Sequence, residues 1–224
     1  MSKEYYKAYD ERYKTVHAKG ELWFGYEPSP IVKEIIEKYS VQKSSPILEI
    51  GAGEGRDAIS LINGGFNILA TDVSPVAIEK CKSLCKEKAD CFAVLDFVLS
   101  SLPTKFDFIY SIAVLHMLVE KNHRTAFYNF IKDHLTEGGI ALITTMSDGQ
   151  TEFETDVNKA FDLVERDFNG GKITVANTSC KMVSDQTFIG EIKSSGLEIV
   201  EIGHTSVKDH FSDMAYAVVK TKVG

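Results

Sequence analysis

No stretch of this 224-residue chain approaches the ~20 consecutive apolar residues that a membrane-spanning helix needs. Its first residues are too polar for a secretory signal, so a cytoplasmic protein without a membrane partner is expected. A basic excess is missing too: 25 Lys and Arg stand against 32 Asp and Glu, a formal net charge of −7. Sequence-independent binding to phosphate backbones needs clustered cations, which disfavours nucleic acid as a partner unless a local basic patch exists. Only four cysteines occur, Cys81, Cys85, Cys91 and Cys180, and their spacing gives no disulfide framework. Cys81 and Cys85 lie one helical turn apart, which suits either a metal or redox pair or two small buried residues on one helix face. The second reading is favoured, and no metal is assigned. Internal repeats and low-complexity segments are absent. A chain of this length buries one sizeable core, and its oligomeric state, monomer or homodimer, stays open.

What the chain does have is a short apolar run that ends in an acid and breaks into glycines, Pro46-Ile47-Leu48-Glu49-Ile50-Gly51-Ala52-Gly53-Glu54-Gly55-Arg56. That order reads as a buried strand, a tight turn and a helix that starts near Asp57. Glycines there let backbone N–H groups approach a ligand where a Cβ would block it. About twenty residues on, Ile68-Leu69-Ala70-Thr71-Asp72 is a second apolar run ending in an acid, at a spacing that suits ribose hydroxyls. Together they read as a nucleoside-binding crevice.

Strands alternate with helical periodicity, the signature of a parallel sheet covered on both faces. The pattern predicts strands at 46–50, 67–72, 91–95, 106–111 and 139–145, and helices near 28–40, 56–64, 75–88, 122–135 and 184–195. Pro75 favours a helix start after Ser74. Residues 197–202 and 214–219 have no helix-length crossover between them, which predicts an antiparallel pair.

A dinucleotide fingerprint would place its third glycine at position 56, where this chain has Arg56. The Glu49 carboxylate suits a cationic group better than a pyrophosphate. Both departures point from NAD toward S-adenosylmethionine, whose amino acid tail carries an ammonium. Here the chain resembles the class I S-adenosylmethionine-dependent methyltransferases, whose first motif is an acid followed by x-G-x-G-x-G, matched by Glu49 to Gly55. Phe106 to Leu118 is similar to the family's fourth strand and the helix after it, and Leu135-Thr136-Glu137-Gly138-Gly139 to its turn into strand five. Gly55-Arg56-Asp57 and Val114-Leu115-His116-Met117-Leu118 look most like the tellurite-resistance and thiopurine-type small-molecule members.

The resemblance implies an α/β, Rossmann-like fold: a seven-stranded, mostly parallel sheet with helices on both faces and a C-terminal antiparallel hairpin. It implies S-adenosyl-L-methionine as cofactor, released as S-adenosyl-L-homocysteine, and a contact set for it. That set is Glu49, Gly51, Ala52, Gly53, Gly55 and Arg56 from the turn, Asp72 and Val73 after strand two, Asp96 and Phe97 after strand three, and Ser111 and Ile112 after strand four. Asp96 stands where an acid meets the adenine amino group, or is a loop acid. Arg56 contacts the cofactor tail or the acceptor, or pairs with an acid.

Two segments fall outside this core: residues 1–27, an aromatic arm or lid, and residues 148–183, an insertion within the 28–224 methyltransferase domain. The insertion predicts a helical stretch near 155–168, a break at Gly170-Gly171 and a strand at 172–175. Tyr5, Tyr9 and Tyr13 recur at i, i+4 and i+8, a helical stripe that either docks the arm or walls the acceptor, with Trp23 and Tyr26 as further candidates. His116 is either the base that takes the acceptor's proton or a packing histidine. The expected function is methyl transfer to a small-molecule acceptor. A protein or nucleic acid acceptor, or cofactor binding without catalysis, remain as alternatives.

Overall fold

The computed structural model describes residues 4–207 and 211–222. An arm opens the chain: a 3₁₀ turn at Tyr5–Lys7 leads into α1 (Ala8–His17). The core follows as α2 (Pro30–Lys38), β1 (Ile47–Ile50), α3 (Arg56–Asn63), β2 (Ile68–Asp72), α4 (Pro75–Leu84), β3 (Phe92–Val94), β4 (Phe106–Ser111), α5 (Lys121–His134) and β5 (Leu135–Met146). Short strands β6 (Phe153–Glu154), β7 (Leu163–Phe168), β8 (Gly171–Ala176) and β9 (Lys181–Met182) make up the insertion. The chain closes with α6 (Asp185–Ser194), β10 (Leu197–Val207) and β11 (Phe211–Thr221).

The main sheet has seven strands in the order β10-β11-β5-β4-β1-β2-β3, with β11 running against the others and pairing antiparallel with both β10 and β5. This is the mostly parallel sheet with a terminal hairpin expected from the sequence. β1 is buried at every position because both faces are covered. Ile47 faces a core built with α2, α3 and α4, while Leu48 and Ile50 face the core built with α5 and α6. Adjacent residues pointing to opposite faces make each a different layer's contact. Among the described residues no helix is long and apolar enough to cross a membrane.

Several boundaries differ from the sequence reading. α4 stops at Leu84, and residues 86–91 form an irregular 3₁₀ stretch broken at Lys88. β5 begins at Leu135, so the Gly138-Gly139 turn lies inside the strand as a bulge opposite β4. After β4 there is one 3₁₀ turn, Leu115–Met117, in place of a helix. The predicted helix at 155–168 is not formed: β7 pairs antiparallel with β8 there. Asn169 (φ 48) and Gly170 (φ 76) make the tight turn between them, with φ positive at both positions as a two-residue hairpin demands. An Asn-Gly pair between strand-compatible runs was the stronger signal, and it outweighs local helical periodicity.

Arg124 of α5 fastens the loop after β4 to α6. Its Nε and Nη2 donate to the Glu191 carboxylate at 2.7 and 2.6 Å, and its Nη1 donates to the carbonyls of Leu115 and Leu118 at 2.8 and 3.1 Å. Arg124→Ala should lower unfolding free energy by about 2 kcal/mol, since it strands carbonyls and a half-buried carboxylate together. Urea denaturation measures this directly, and a loss below ~0.5 kcal/mol would mean the guanidinium holds nothing in place.

Candidate cofactor cleft and acceptor chamber

At the carboxyl end of β1 the chain turns through Gly51, Gly53 and Gly55, all with positive φ. A Cβ on Gly51 would lie 2.2 Å from Val114 Cγ2, and one on Gly53 or Gly55 2.9 Å from the Tyr13 hydroxyl or Cys81 Sγ. Three different elements therefore close on this turn. Four of its N–H groups are used within the fold. Those of Gly51 and Ala52 donate to the Thr71 carbonyl at 2.7 and 2.9 Å, that of Gly53 to Asp72 Oδ2 at 2.8 Å, and that of Gly55 to the Ala52 carbonyl at 2.9 Å. This corrects the expectation that they point at a ligand: the glycines serve close approach and shape.

A cleft opens beside the turn, floored by Glu49, Gly51, Ala52 and Gly53 and flanked by Asp72, Val73, Leu95 and Phe97. Ile112, Ala113, Val114 and Met117 form another wall, and Tyr9, Tyr13, Phe24 and Gly25 of the arm close it. Glu49 is 3 % exposed, and its Oε2 has no hydrogen-bond partner among the described residues. Burial, and then the negative charge of Asp57, push its carboxyl well above the usual range; Tyr110 and Arg56 oppose this weakly. A buried carboxylate oxygen left without a donor is costly unless a cation meets it. The ammonium of S-adenosylmethionine is such a cation, so the residues present fit that cofactor. Asp72 accepts from the N–H groups of Gly53 and Ser74, both at 2.8 Å, and burial raises its pKa to about 6. It lines the cleft with lone pairs to spare for ribose hydroxyls.

The other expected contact residues are distributed differently. Arg56 lines the cleft while donating to Ser29 Oγ at 2.8 Å, and its guanidinium lies 3.6 Å from Asp57. Gly55 packs behind the turn against Cys81. Ser111 is fully buried and donates to the Ile50 carbonyl at 3.1 Å, fixing β4 to β1. The Asp96 carboxylate is turned to the arm, 2.7 Å from Lys7 Nζ and within reach of the Tyr6 hydroxyl at 3.2 Å. Tyr5 does not wall an acceptor: its hydroxyl accepts from the N–H groups of Val119 and Glu120, both at 3.0 Å. Tyr26 is 71 % exposed.

A second cavity adjoins the first, and Tyr9 lines both. Arg12 and Trp23 of the arm, His116 and Met146 of the core, and Arg166 and Thr178 of the insertion form its walls. The arm and insertion are joined here. Trp23 stacks on Phe168 with ring centroids 5.4 Å apart, and Arg12 donates to the carbonyls of Ala176 and Asn177. Tyr9, Tyr13, Val16, Trp23, Ile173 and Val175 share one apolar cluster. His116 is buried, and desolvation lowers its pKa to about 3.

The sequence reading missed Glu54, which fastens the arm over the cleft. Its Oε1 and Oε2 accept from the N–H groups of Trp23 and Phe24 at 2.9 and 3.0 Å, and His17 Nε2 lies 2.7 Å from Oε1. It occupies a spacer position between two glycines, where nothing in the motif marks it. Arg12 and Arg166 were missed as well, because only the folded arm and hairpin bring them together.

The raised pKa values of Glu49 and Asp72 mean that protons leave when a cationic, hydroxylated ligand enters. S-Adenosylhomocysteine binding at about pH 6 should release protons and weaken as pH falls below that value. Calorimetry in buffers of different ionisation enthalpy measures the proton count; uptake in place of release would contradict this electrostatic picture.

Residues 48–141 match the methyltransferase domain family. EEF1A lysine methyltransferase 2 of Danio rerio is 33% identical over 92 residues, which span 39% of this chain and 40% of that protein. The match thus reaches about two fifths of the relative's length. Among solved structures, the 1,6-didemethyltoxoflavin-N1-methyltransferase of Burkholderia thailandensis superposes with a TM-score of 0.71 at 12% identity, covering 99% of this chain and 92% of that one. A TehB-like S-adenosylmethionine-dependent methyltransferase from Corynebacterium glutamicum gives 0.58 at 19% identity, covering 96% of each chain. Residues 48–141 therefore match a methyltransferase domain, and the chain as a whole shares the fold of these solved methyltransferases.

Proposed function

We propose that this protein transfers the methyl group of S-adenosylmethionine to a small acceptor seated in the second cavity. The observation that carries this reading is the joined roof. Residues 4–27 and the 148–183 insertion meet beside the cavity through Trp23, Phe168 and Arg12, leaving a space next to Tyr9. In this reading the arm is the lid and the insertion shapes acceptor specificity.

The cofactor, when bound, supplies a methyl group already activated by the positive charge on sulfur. The chain's own residues then have the tasks of placement and exclusion. Glu49 holds the ammonium and Asp72 the ribose hydroxyls. Val73, Leu95 and Phe97 give the adenine an apolar bed. Tyr9 stands at the passage between the two cavities, where it aligns the acceptor and keeps water out. Alignment of this kind lowers a barrier by several kcal/mol without a strong base. His116 is neutral across the physiological range, and a pKa of about 3 leaves it too weak to hold the acceptor's proton efficiently. It orients the acceptor as a polar wall of the chamber.

A lysine side chain of a protein is the second reading, favoured by the name of the Danio rerio relative. Thiols, amines, hydroxylated aromatics and metalloid oxyanions should be compared with lysine-bearing proteins and peptides for release of S-adenosylhomocysteine. A small acceptor should give the faster turnover; a lysine substrate exceeding every small molecule would reverse the assignment. With that acceptor, Trp23→Ala should raise KM about tenfold or more while S-adenosylhomocysteine affinity stays within about threefold. An unchanged KM would remove the arm from the acceptor chamber. His116→Gln should retain at least about a tenth of kcat, and its kcat–pH profile should match the parent's.

A further inference from the structure

We propose that the acceptor carries a carboxylate or an equivalent oxyanion, received in the second cavity by the guanidinium groups of Arg12 and Arg166. This rests on the reading of that cavity as the acceptor chamber. The chain has four arginines, and these two face one cavity. The other two are accounted for: Arg124 pairs with Glu191, and Arg56 lies beside Asp57. Arg12 is 5 % exposed, yet it forms no ion pair among the described residues. Its Nε and Nη2 donate to the Ala176 carbonyl at 3.1 and 2.8 Å, and Nη2 also to the Asn177 carbonyl at 2.7 Å and Thr178 Oγ1 at 3.0 Å. Its planar group lies 4.7 Å from the ring centroids of both Tyr9 and Trp23. These contacts fix the guanidinium in position without neutralising it.

Arg166 stands on β7 across the chamber and donates to Asn177 Oδ1 at 2.8 Å, again with no carboxylate partner among the described residues. No Asp or Glu is among the residues that line the cavity. On a chain of net charge −7, two cations converging on an acid-free space set a local potential opposite to the protein's overall charge. Each repels the other: burial and, to a smaller degree, the charge of Arg166 lower the pKa of Arg12. An anion between them relieves both the repulsion and the desolvation of Arg12. A carboxylate suits the planar fork of a guanidinium better than any neutral group does. A lysine ammonium would instead meet two like charges.

The test uses the full chain saturated with S-adenosylhomocysteine and three probe pairs: benzoate with benzamide, 4-hydroxybenzoate with 4-hydroxybenzamide, and 3-mercaptopropionate with 3-mercaptopropionamide. Calorimetry should show at least one carboxylate binding roughly tenfold or more tighter than its amide. Arg166→Gln should erase that preference and Arg166→Lys restore part of it. Arg166 lies on an exposed hairpin away from the cofactor cleft, so S-adenosylhomocysteine affinity serves as the folding control for both variants. Equal affinities within every pair, including no measurable binding of any carboxylate, or a preference that survives Arg166→Gln, would overturn the anionic-acceptor proposal and leave the methyltransferase reading standing. Failure of the parent protein to bind S-adenosylhomocysteine would overturn both.

Discussion

Glu49 places a nearly buried carboxylate near the carboxyl end of β1, with one oxygen lacking a hydrogen-bond partner among the described residues. The rest of the site follows from that constraint. A lone buried anion is expensive, and the fold surrounds it with further acids, Asp57 and Asp72, which add to the cost. Such a carboxyl either keeps its proton or receives a cation, which is the behaviour of a cation receptor. The three glycines then bring the β4 loop, the arm and α4 within contact of the same turn. What looks like a nucleotide-binding loop sets the shape of the turn here, with the N–H groups of Gly51, Ala52, Gly53 and Gly55 bonded within the fold.

Much of this architecture was legible because burial on both faces leaves continuous apolar runs, as in β1 and β4, and because Ser74-Pro75 marks a helix start. Ser74 Oγ indeed accepts from the Ala77 N–H at 3.1 Å. Glu49 and Asp72 stood out in the sequence as acids at the ends of buried apolar runs, and both line the cleft, Asp72 while also accepting from the Gly53 and Ser74 N–H groups. Other features depend on tertiary contact alone. Asp96 follows β3 as a cofactor acid would, yet Lys7 and Tyr6 hold its carboxylate, a pairing ninety residues apart in sequence that no local pattern encodes. The β7–β8 hairpin was hidden by a helical periodicity that its Asn-Gly turn overrules. Glu54 sits in a motif's spacer position, so its role as a latch for the arm emerges only when Trp23 and Phe24 reach it.

The arm and insertion are ordered by one another as much as by the domain beneath them. Tyr5 holds the loop after β4, Asp10 accepts from Ser74 Oγ at 2.6 Å, Glu54 receives the Trp23–Phe24 backbone, and Arg12 binds the end of β8. Residues of the arm thus line both the cleft beside the glycine turn and the second cavity. His116 is buried beside the second cavity, and desolvation lowers its pKa to about 3, which accords with the proposed reading of alignment without a strong base.

The central claim is that this turn and the buried Glu49 form a receptor for the adenosyl amino acid. Calorimetric titration of S-adenosylhomocysteine into the parent protein and Gly51→Ala tests it most directly, with circular dichroism as the folding check. The account expects saturable one-to-one binding to the parent and a loss of about a hundredfold or more in the variant, where the new methyl and Val114 claim the same space. No binding to the parent, or equal binding to a well-folded variant, would contradict it.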